Sequence, residues 1–326
     1  MSVRSWFAKS PSNIALIKYM GKIDASVNAP TNKSLSYTLG HLLSYVHISL
    51  CEKDSWEPLL SIIDGEKEIQ FSDIQISEKG QARFLKHLNF LKTQLGLENY
   101  KFKIQSNNLF PQDCGLASSA SSFAALTSAV YLAAQELVAA DLTVYQLANL
   151  SQRGSGSSCR SFFSPWSIWE SDGAKEVSID YDQLLHMVIV VEDKIKSVSS
   201  SEAHLRVTSS SLFNNRVDRA NTRCLDLLSA LNQKKWKAAY EITWAEFWDM
   251  HVLFETAEPH FSYMTSGSLE VLRFAEKQWL VKKDGPLVTM DAGANVHLIY
   301  RKDQQSLYAE TRLKFSGKYK VFGSNE

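Results

Sequence analysis

The sequence predicts an α+β protein of two domains, and three observations lead to that fold class. The 326 residues suggest two domains, although their number also allows one large domain. The first half alternates short strand-like segments with amphipathic helices. From residue 202 to about 278 the composition turns helical, with breaks at Asn214-Asn215, Gln233 and Pro259.

Composition and charge exclude several classes of protein. The chain is 44% hydrophobic and 21% charged, as in ordinary globular proteins. Its formal net charge is zero, which disfavours binding to nucleic acid or to a membrane surface through bulk charge, although a local basic pocket is still compatible with it. No apolar stretch approaches the roughly 18 residues of a membrane span, and the first residues lack the apolar core of a signal peptide. We therefore expect a cytoplasmic protein that binds neither nucleic acid nor membrane.

The four cysteines, Cys51, Cys114, Cys159 and Cys224, show no paired spacing typical of zinc or of a redox couple. This usage is typical of a reducing compartment. Cys114 and Cys159 lie inside two loops rich in serine and glycine, where they are either small packing residues or modifiable thiols.

The first predicted strand, Ile14–Tyr19, is apolar except for Lys18 and is followed by Gly21. Lys18 either points to water from an edge or holds an ammonium toward an anion at the end of the strand. The next elements in order are a strand over Tyr45–Cys51, a hairpin over Leu60–Ile69 around Asp64-Gly65, a helix over Gln81–Leu95 and a strand over Tyr100–Ser106.

The central stretch runs from Phe110 to Phe123 and leads into a helical run that reaches Ala140. Pro111 and Gly115 break the chain, and small residues follow, so a loop enters a helix N-terminus. Such an end presents unpaired backbone N–H groups and a partial positive charge, which suit a phosphate. The alternative is a serine-capped buried helix.

A second helix over Asp141–Leu150 ends in the loop Gln152–Arg160, which holds two glycines and three serines between two arginines. This loop is either a flexible turn or an anion-binding loop, since arginine matches carboxylate and phosphate bidentately. A strand-like run over Ser161–Ser164 follows and continues over Trp166–Glu170.

The second half opens with a buried strand over Met187–Val191 and a polar loop over Asp193–Ser201. Near its end, two apolar runs flank Asp291, which is either a turn former or a carboxylate placed at a site by a strand pair. A last helix over Gln304–Leu313 and a short strand finish the chain. His251 and Glu255 lie one helical turn apart, but without a third ligand they do not predict a metal site.

Together these segments resemble the diphosphomevalonate decarboxylase family of the GHMP superfamily of small-molecule kinases. The phosphate loop is shared by the superfamily, whereas the RGSGSSCR and DAG-A-N motifs are specific to the decarboxylases. The resemblance covers nearly the whole chain, and the matching segments in order are SPSNIALIKYMGK, NAPTNKSLSYTL, FPQDCGLASSASSF, RGSGSSCRSFF and MDAGANVHLIY.

The resemblance implies a GHMP-kinase-like fold with the active site in the cleft between a first domain, residues 1–185, and a second, residues 186–326. The first would be the GHMP-type (ribosomal S5 domain 2-like) domain with the phosphate loop. It implies ATP and Mg²⁺, a homodimer, and one step of isoprenoid biosynthesis by the mevalonate pathway. In that step, mevalonate 5-diphosphate and ATP give isopentenyl diphosphate, carbon dioxide, ADP and phosphate. Phosphorylation turns the tertiary 3-hydroxyl into a good leaving group, and its departure draws electrons from the breaking carboxylate bond.

The resemblance also assigns roles to matching positions. Asp291 would assist phosphoryl transfer to the 3-hydroxyl as base or by orientation, Lys18 would hold that aspartate ionised, and Arg160 would bind the substrate carboxylate. The implied substrate contacts are Tyr19, Lys22, Ser155, Ser157 and Arg160. The implied ATP contacts are Gly115, Leu116, Ala117, Ser118 and Ser119 in the phosphate loop, with Lys196 and Ser200 in a mobile loop. Mg²⁺ would be held mainly by the ATP phosphates, with the hydroxyl of Ser118 or Ser119 as an additional ligand.

The sequence departs from the family pattern at several positions, which are Met20, Ala294, Glu66-Lys67, Ala203-His204 and Glu246-Phe-Trp-Asp249. The hairpin lacks the arginine that usually contacts the substrate diphosphate, so a 5-monophosphate substrate stays an alternative. A second alternative is a GHMP kinase that phosphorylates and stops, and a third is a non-catalytic binding protein on the same fold. The presence of Asp291, Lys18 and Arg160 together favours decarboxylation.

Overall fold

The computed structural model describes residues 4–24, 26–73, 76–110, 118–181, 183–194 and 196–324. Strands and helices build two sheets with helices packed against them, which confirms the predicted mixed fold of two domains. The strands are β1 Ser5–Ile17, β2 Lys22–Asp24, β3 Ala29–Pro30, β4 Ser34–Leu50, β5 Ser55–Pro58, β6 Ser61–Asp64, β7 Lys67–Gln70, β8 Phe102–Asn108, β9 Trp166–Glu170, β10 Gly173–Glu176, β11 Leu184–Val190, β12 Leu287–Met290, β13 Val296–Arg301 and β14 Lys320–Gly323. The helices are α1 Glu78–Leu95, α2 Ser118–Val138, α3 Val144–Gln152, α4 Ser200–Arg206, α5 Arg216–Asn232, α6 Trp236–Glu255, α7 Ser266–Lys282 and α8 Gln305–Phe315.

The first sheet is organised around β4, which is 17 residues long and pairs antiparallel with β1 along most of its length. On its other side, one part of β4 pairs with β8 and another part with β9, and β5 lies parallel to β8. Helices α1 and α2 pack on this sheet through a core that includes Val46, Leu88, Ile104 and Val130. The buried alanines of α2 allow its backbone to lie close to the sheet, which fixes the start of this helix.

The second sheet has the order β12-β13-β11-β14 and is antiparallel throughout. Residues of α6, α7 and α8 share a core with its strands, including Phe247, Leu272, Leu298 and Phe315. A separate apolar cluster joins the two sheets, because Ile14 and Leu16 of β1 belong to the same core as Val188 and Ile299 of the second sheet. The end of β1 is thereby held against the second domain.

Most of the predicted elements are confirmed. The hairpin around Gly65 forms from β6 and β7, and Gly65 has a φ of 65°, a left-handed conformation that glycine adopts without strain. The helix predicted over residues 141–150 begins at Val144 with a capping box between Thr143 and Gln146. None of the described helices is long and apolar enough to cross a membrane.

The strand predicted over Ser161–Ser164 is wrong. Residues Gly156–Phe162 form a 3-10 helix, and the turn continues to Phe163, whose N–H donates to the carbonyl of Arg160 over 3.3 Å. The serines of this segment bond locally, since the Ser158 hydroxyl donates to the Ser155 carbonyl over 2.7 Å. This compact turn is what brings Arg160 inside the protein.

Candidate active site

A cavity of about 440 Å³ is lined by residues from both halves of the chain, among them Lys18 and Asp291. Its described lining includes six cationic side chains, Lys18, Lys22, Lys79, Arg83, Arg160 and Lys196. Asp291 supplies the one carboxylate among the described lining residues. The zero net charge of the chain was compatible with a local basic pocket, and this cavity is such a pocket. It suits a ligand with several negative charges.

Lys18 and Asp291 form the centre of the cavity. Lys18 directly follows β1 and Asp291 directly follows β12, and Nζ of the lysine donates to Oδ1 of the aspartate over 2.7 Å. The strands are linked just before these ends, since the Thr289 hydroxyl donates to the Ala15 carbonyl over 3.2 Å. Lys18 is 2% exposed, so it is not the water-facing edge lysine of the alternative interpretation.

Burial and charge act in opposite directions on this pair. Burial opposes ionisation of Asp291, but the charges of Lys18 and His297 outweigh it and hold the pKa of Asp291 below its ordinary value. Burial lowers the pKa of Lys18, and the contact with Asp291 acts against that change. The result is an ionised carboxylate at the cavity wall that is 28% exposed and can receive a hydrogen bond from a ligand.

Arg160 is buried, and its guanidinium is fixed from two sides. Nε donates to Asn13 Oδ1 over 3.1 Å, and Nη1 donates to Ser34 Oγ over 2.9 Å. The guanidinium lies 5.7 Å from the ring centre of Trp169. Within the described residues Nη2 makes no hydrogen bond, so a cation of fixed direction lines the cavity and can bind a carboxylate.

The other predicted substrate contacts also line the cavity. The Tyr19 ring packs 4.6 Å from Trp169 and 4.3 Å from His204, between centroids. Lys22 Nζ donates to Asn28 Oδ1 over 2.7 Å. Burial, followed by the like charge of Arg83, lowers the pKa of Lys22. Ser155 and Ser157 complete this wall.

The predicted ATP contacts divide into two groups. Gly115, Leu116 and Ala117 lie outside the described residues, as does Cys114. Ser118 and Ser119 stand at the start of α2 and line the cavity, and the Ser155 hydroxyl donates to Ser119 over 3.3 Å. Lys196 Nζ donates to the carbonyl of Ala292 over 2.6 Å and lies 3.4 Å from the Ser200 hydroxyl, so both residues reach the cavity beside Asp291.

The cavity suits a metal ion only in company with an anionic ligand. Among the described residues no three His, Cys, Asp or Glu side chains cluster as metal ligands, and Asp291 is paired with Lys18. The Ser118 and Ser119 hydroxyls at a helix start are oxygen donors of the kind that Mg²⁺ accepts beside phosphates. His251 Nε2 lies 3.1 Å from the backbone carbonyl of Asp291, and no described contact joins His251 to Glu255.

Sequence reasoning missed Lys79, Arg83 and His204. Lys79 and Arg83 are four residues apart on α1 and share a face of that helix. The helix was predicted to begin at Gln81, so Lys79 lay outside it and the shared face was not recognised. His204 Nδ1 accepts the backbone N–H of Gly21 over 3.0 Å. No local pattern points to it.

The hairpin does not supply the cavity with charge. Glu66 and Lys67 are exposed and are absent from the described lining of the cavity. The cations of α1 stand there together with Lys22. The missing hairpin arginine therefore leaves no deficit of positive charge in this cavity.

Comparison with known proteins identifies the family. Residues 10–180 match the model of the diphosphomevalonate decarboxylase-like N-terminal domain, and residues 186–320 match the mevalonate 5-diphosphate decarboxylase C-terminal domain. The chain belongs to the diphosphomevalonate decarboxylase family. The resemblance noted in the sequence is thus confirmed over nearly the full length of the chain.

Family members with solved structures share the fold. The crystal structure of a mevalonate diphosphate decarboxylase from Legionella pneumophila is 45% identical, with a TM-score of 0.89 over 98% of this chain and 100% of that one. The complex of MDDEF with MVAPP, AMPPCP and magnesium is 28% identical, with a TM-score of 0.85 over 99% and 97%. The diphosphomevalonate decarboxylase of Ganoderma lucidum is 30% identical over 97% of this chain and 83% of its own length.

Proposed function

We propose that this protein catalyses the ATP-dependent decarboxylation of mevalonate 5-diphosphate to isopentenyl diphosphate, with release of carbon dioxide, ADP and phosphate. The observation that carries the proposal is the contact between Lys18 and Asp291 across the two domains, 2.7 Å long, in the cavity that Arg160 also lines. The complex of the relative MDDEF with MVAPP, AMPPCP and magnesium supports the same pair of substrates here.

Asp291 acts on the 3-hydroxyl of the substrate. The hydroxyl oxygen attacks the γ-phosphorus of ATP and the bond to the ADP oxygen breaks. Asp291 orients the hydroxyl or accepts its proton, and its depressed pKa keeps the carboxylate available at neutral pH. Lys18 stabilises the negative charge that develops beside it.

Arg160 binds and orients the substrate carboxylate. When the new phosphate leaves the third carbon with the electrons of the carbon–oxygen bond, the bond between the carboxylate carbon and the second carbon breaks. Its electrons form the double bond of isopentenyl diphosphate, and carbon dioxide departs. The fixed guanidinium of Arg160 holds the carboxylate in the direction that this elimination requires.

We assign the ATP phosphates to the start of α2 and to Lys196. Ser118, Ser119 and Lys196 line the same cavity as Asp291, and this shared lining supports the assignment. Mg²⁺, when bound with ATP, supplies positive charge to the phosphates. The hydroxyl of Ser118 or Ser119 is the protein group that fits it.

The charge of the cavity favours a diphosphate over a monophosphate at the 5-position. Lys22, Lys79 and Arg83 add three cations to the lining of the cavity, enough to balance the roughly three negative charges of a diphosphate. A monophosphate would leave these cations with excess positive charge. A kinase that phosphorylates the hydroxyl without decarboxylation would have no role for Arg160. The fixed guanidinium of Arg160 suits a carboxylate.

Product analysis tests the proposal. The protein with ATP and Mg²⁺ receives mevalonate 5-diphosphate or mevalonate 5-phosphate, and carbon dioxide and ADP are counted. We expect equal amounts of both products with the diphosphate and little of either with the monophosphate. ADP without carbon dioxide would make the protein a kinase, and carbon dioxide mainly from the monophosphate would overturn the substrate assignment.

We also infer a homodimer, a cytoplasmic location and a domain boundary close to residues 185 and 186. Because β11 begins at Leu184 and belongs to the second sheet, we place the boundary just before that strand. The boundary is supported by the two matched segments, which end at residue 180 and begin at residue 186. The homodimer and the location rest on resemblance to the family. Light scattering measures the assembly, and a molar mass near one chain would exclude the dimer.

A further inference from the structure

Helix α6 contacts both members of the Lys18–Asp291 pair, although they come from different sheets. Its Glu246 accepts the backbone N–H of Lys18 through Oε1 over 3.0 Å. Five residues later on the same helix, Nε2 of His251 lies 3.1 Å from the backbone carbonyl of Asp291. One rigid element therefore touches the main chain on each side of the catalytic contact.

The Lys18 anchor is a buried ion pair. Glu246 and Arg216 are both fully buried, and Arg216 Nη2 donates to Glu246 Oε1 over 2.5 Å. The same guanidinium nitrogen lies 3.4 Å from the Lys18 carbonyl, which also accepts from Asn32 Nδ2 over 3.0 Å. Both backbone groups of Lys18 are thus fixed by charged or amide side chains. A charged hydrogen bond in a dry interior is strong and costly to break.

The Asp291 anchor is a neutral imidazole. Burial, followed by the charge of Lys18, lowers the pKa of His251 to about 3, so the ring is uncharged at neutral pH. Nε2–H is then the donor to the carbonyl of Asp291. The charged and titratable groups that face Asp291 are Lys18, Arg160, His251 and His297.

We propose that α6 positions the catalytic pair, with Glu246 and its partner Arg216 fixing Lys18 and with His251 fixing Asp291. Glu246, Arg216 and His251 are positioning residues, since they act through the main chain of the reacting groups. This inference deepens the proposed function and rests on it. It gives a role to Glu246 in a helical motif where the sequence departs from the family pattern.

The Glu246→Gln variant tests the first anchor, with Asp249→Asn as its matched control. Asp249 lies on the same helix and in the same ionic network. It pairs with Arg219 and Arg223 over 2.8 and 2.6 Å and lies 3.6 Å from Arg216 Nη1, and no described contact joins it directly to Lys18. We expect Glu246→Gln to lower kcat by roughly 100-fold with KM for mevalonate 5-diphosphate within about threefold, as for loss of an interaction made mainly in the transition state. Asp249→Asn should keep kcat within about threefold.

The pH profile separates positioning from loss of folded protein. If Lys18 moves away, its charge no longer depresses the pKa of Asp291, so the acid limb of kcat should shift to higher pH in Glu246→Gln. Partial unfolding would reduce the amount of active enzyme, measured by binding of an ATP analogue, and leave the limb unmoved. An unmoved limb, or equal loss in Asp249→Asn, would overturn the Lys18 anchor.

His251 tests the second anchor even if Glu246→Gln fails to fold. Glutamine can place an N–H donor near the position of Nε2, whereas leucine cannot. We expect His251→Leu to lower kcat about 10-fold or more and His251→Gln to recover most of it. Equal activity of the two would overturn this anchor. Wild-type product analysis is the separate check, because ADP without carbon dioxide would refute the proposed function whatever these variants show.

Discussion

The two ends of the cavity are built differently. At the reacting end, Lys18 and Arg160 are 2% and 4% exposed, and each is fixed by several side chains. At the other end, Lys79 and Arg83 are exposed on one helix, and the Arg83 guanidinium makes a 3.3 Å contact with the backbone carbonyl of Gly154. The charges of the reacting end are held in place before a substrate binds. The charges of the other end are carried by long, exposed side chains.

This difference indicates a division of labour. Groups that act on developing charge gain most from fixed positions in a dry site. Groups that bind a multiply charged phosphate contribute mainly through the number of positive charges that they supply. Exposed contacts of this kind are weakened by salt. We therefore expect substitutions at the reacting end to lower kcat and substitutions at the phosphate end to raise KM.

The largest expected effect is that of Asp291→Asn. The amide keeps the shape but cannot accept a proton or carry the charge that pairs with Lys18, so turnover should fall about 10³-fold or more. Binding of an ATP analogue should persist, which titration calorimetry can measure alongside carbon dioxide release. Turnover near the wild-type rate would remove Asp291 from the chemistry.

Arg160→Lys should have the next largest effect. Lysine keeps the charge but loses the planar fork that reaches Asn13, Ser34 and the cavity at once, so we expect kcat/KM to fall about 100-fold. Steady-state kinetics with mevalonate 5-diphosphate measure this. A loss below about threefold would show that a point charge is sufficient there.

The Lys79→Gln and Arg83→Gln variants address the phosphate end. We expect each to raise KM for mevalonate 5-diphosphate roughly 10-fold and to leave kcat within about threefold. The reason is that the lost contact stabilises the bound substrate and the transition state equally. Added salt should weaken wild-type binding more than that of the variants. Lys86→Gln is the matched control, because Lys86 is exposed on the same helix and outside the described lining of the cavity. An equal KM change in the control would contradict the assignment.

The smallest effect concerns stability in acid. His186 lies 3.1 Å from His41 and 2.9 Å from His297, nitrogen to nitrogen, and this chain of imidazoles joins the two sheets. Burial lowers the pKa of His41 to about 4 from an ordinary value of 6.5. Between these values the unfolded chain binds a proton that the folded one does not, so stability should fall as pH drops from about 6.5 to 4.

The His41→Gln variant sharpens that expectation. Glutamine does not titrate, so the loss of Tm between pH 7.5 and pH 5 should be a few degrees smaller than in the wild type. Differential scanning calorimetry at the two pH values measures it. An identical loss in both proteins would mean that other groups cause the acid sensitivity.

Local patterns predicted most elements because strands and helices carry their own periodicity. The ends of β1 and β12 were expected to hold Lys18 and Asp291, and the structure brings these residues together. The 3-10 turn before Arg160 was missed because its local serine bonds override a strand-like run. Glu246, Arg216 and His251 were not predicted as a set, because their meeting depends on how α5 and α6 pack against the end of β1.

Single-turnover kinetics separate the roles of the two ends most directly. Wild type, Asp291→Asn and the Lys79→Gln/Arg83→Gln double variant, each in excess over mevalonate 5-diphosphate and above its KM, are mixed with that substrate and saturating ATP, and carbon dioxide is followed by rapid quench. We expect a single-turnover rate near that of the wild type for the double variant and a fall of about 10³-fold for Asp291→Asn. A double variant as slow as Asp291→Asn at saturation would contradict the division between a reacting end and a phosphate end.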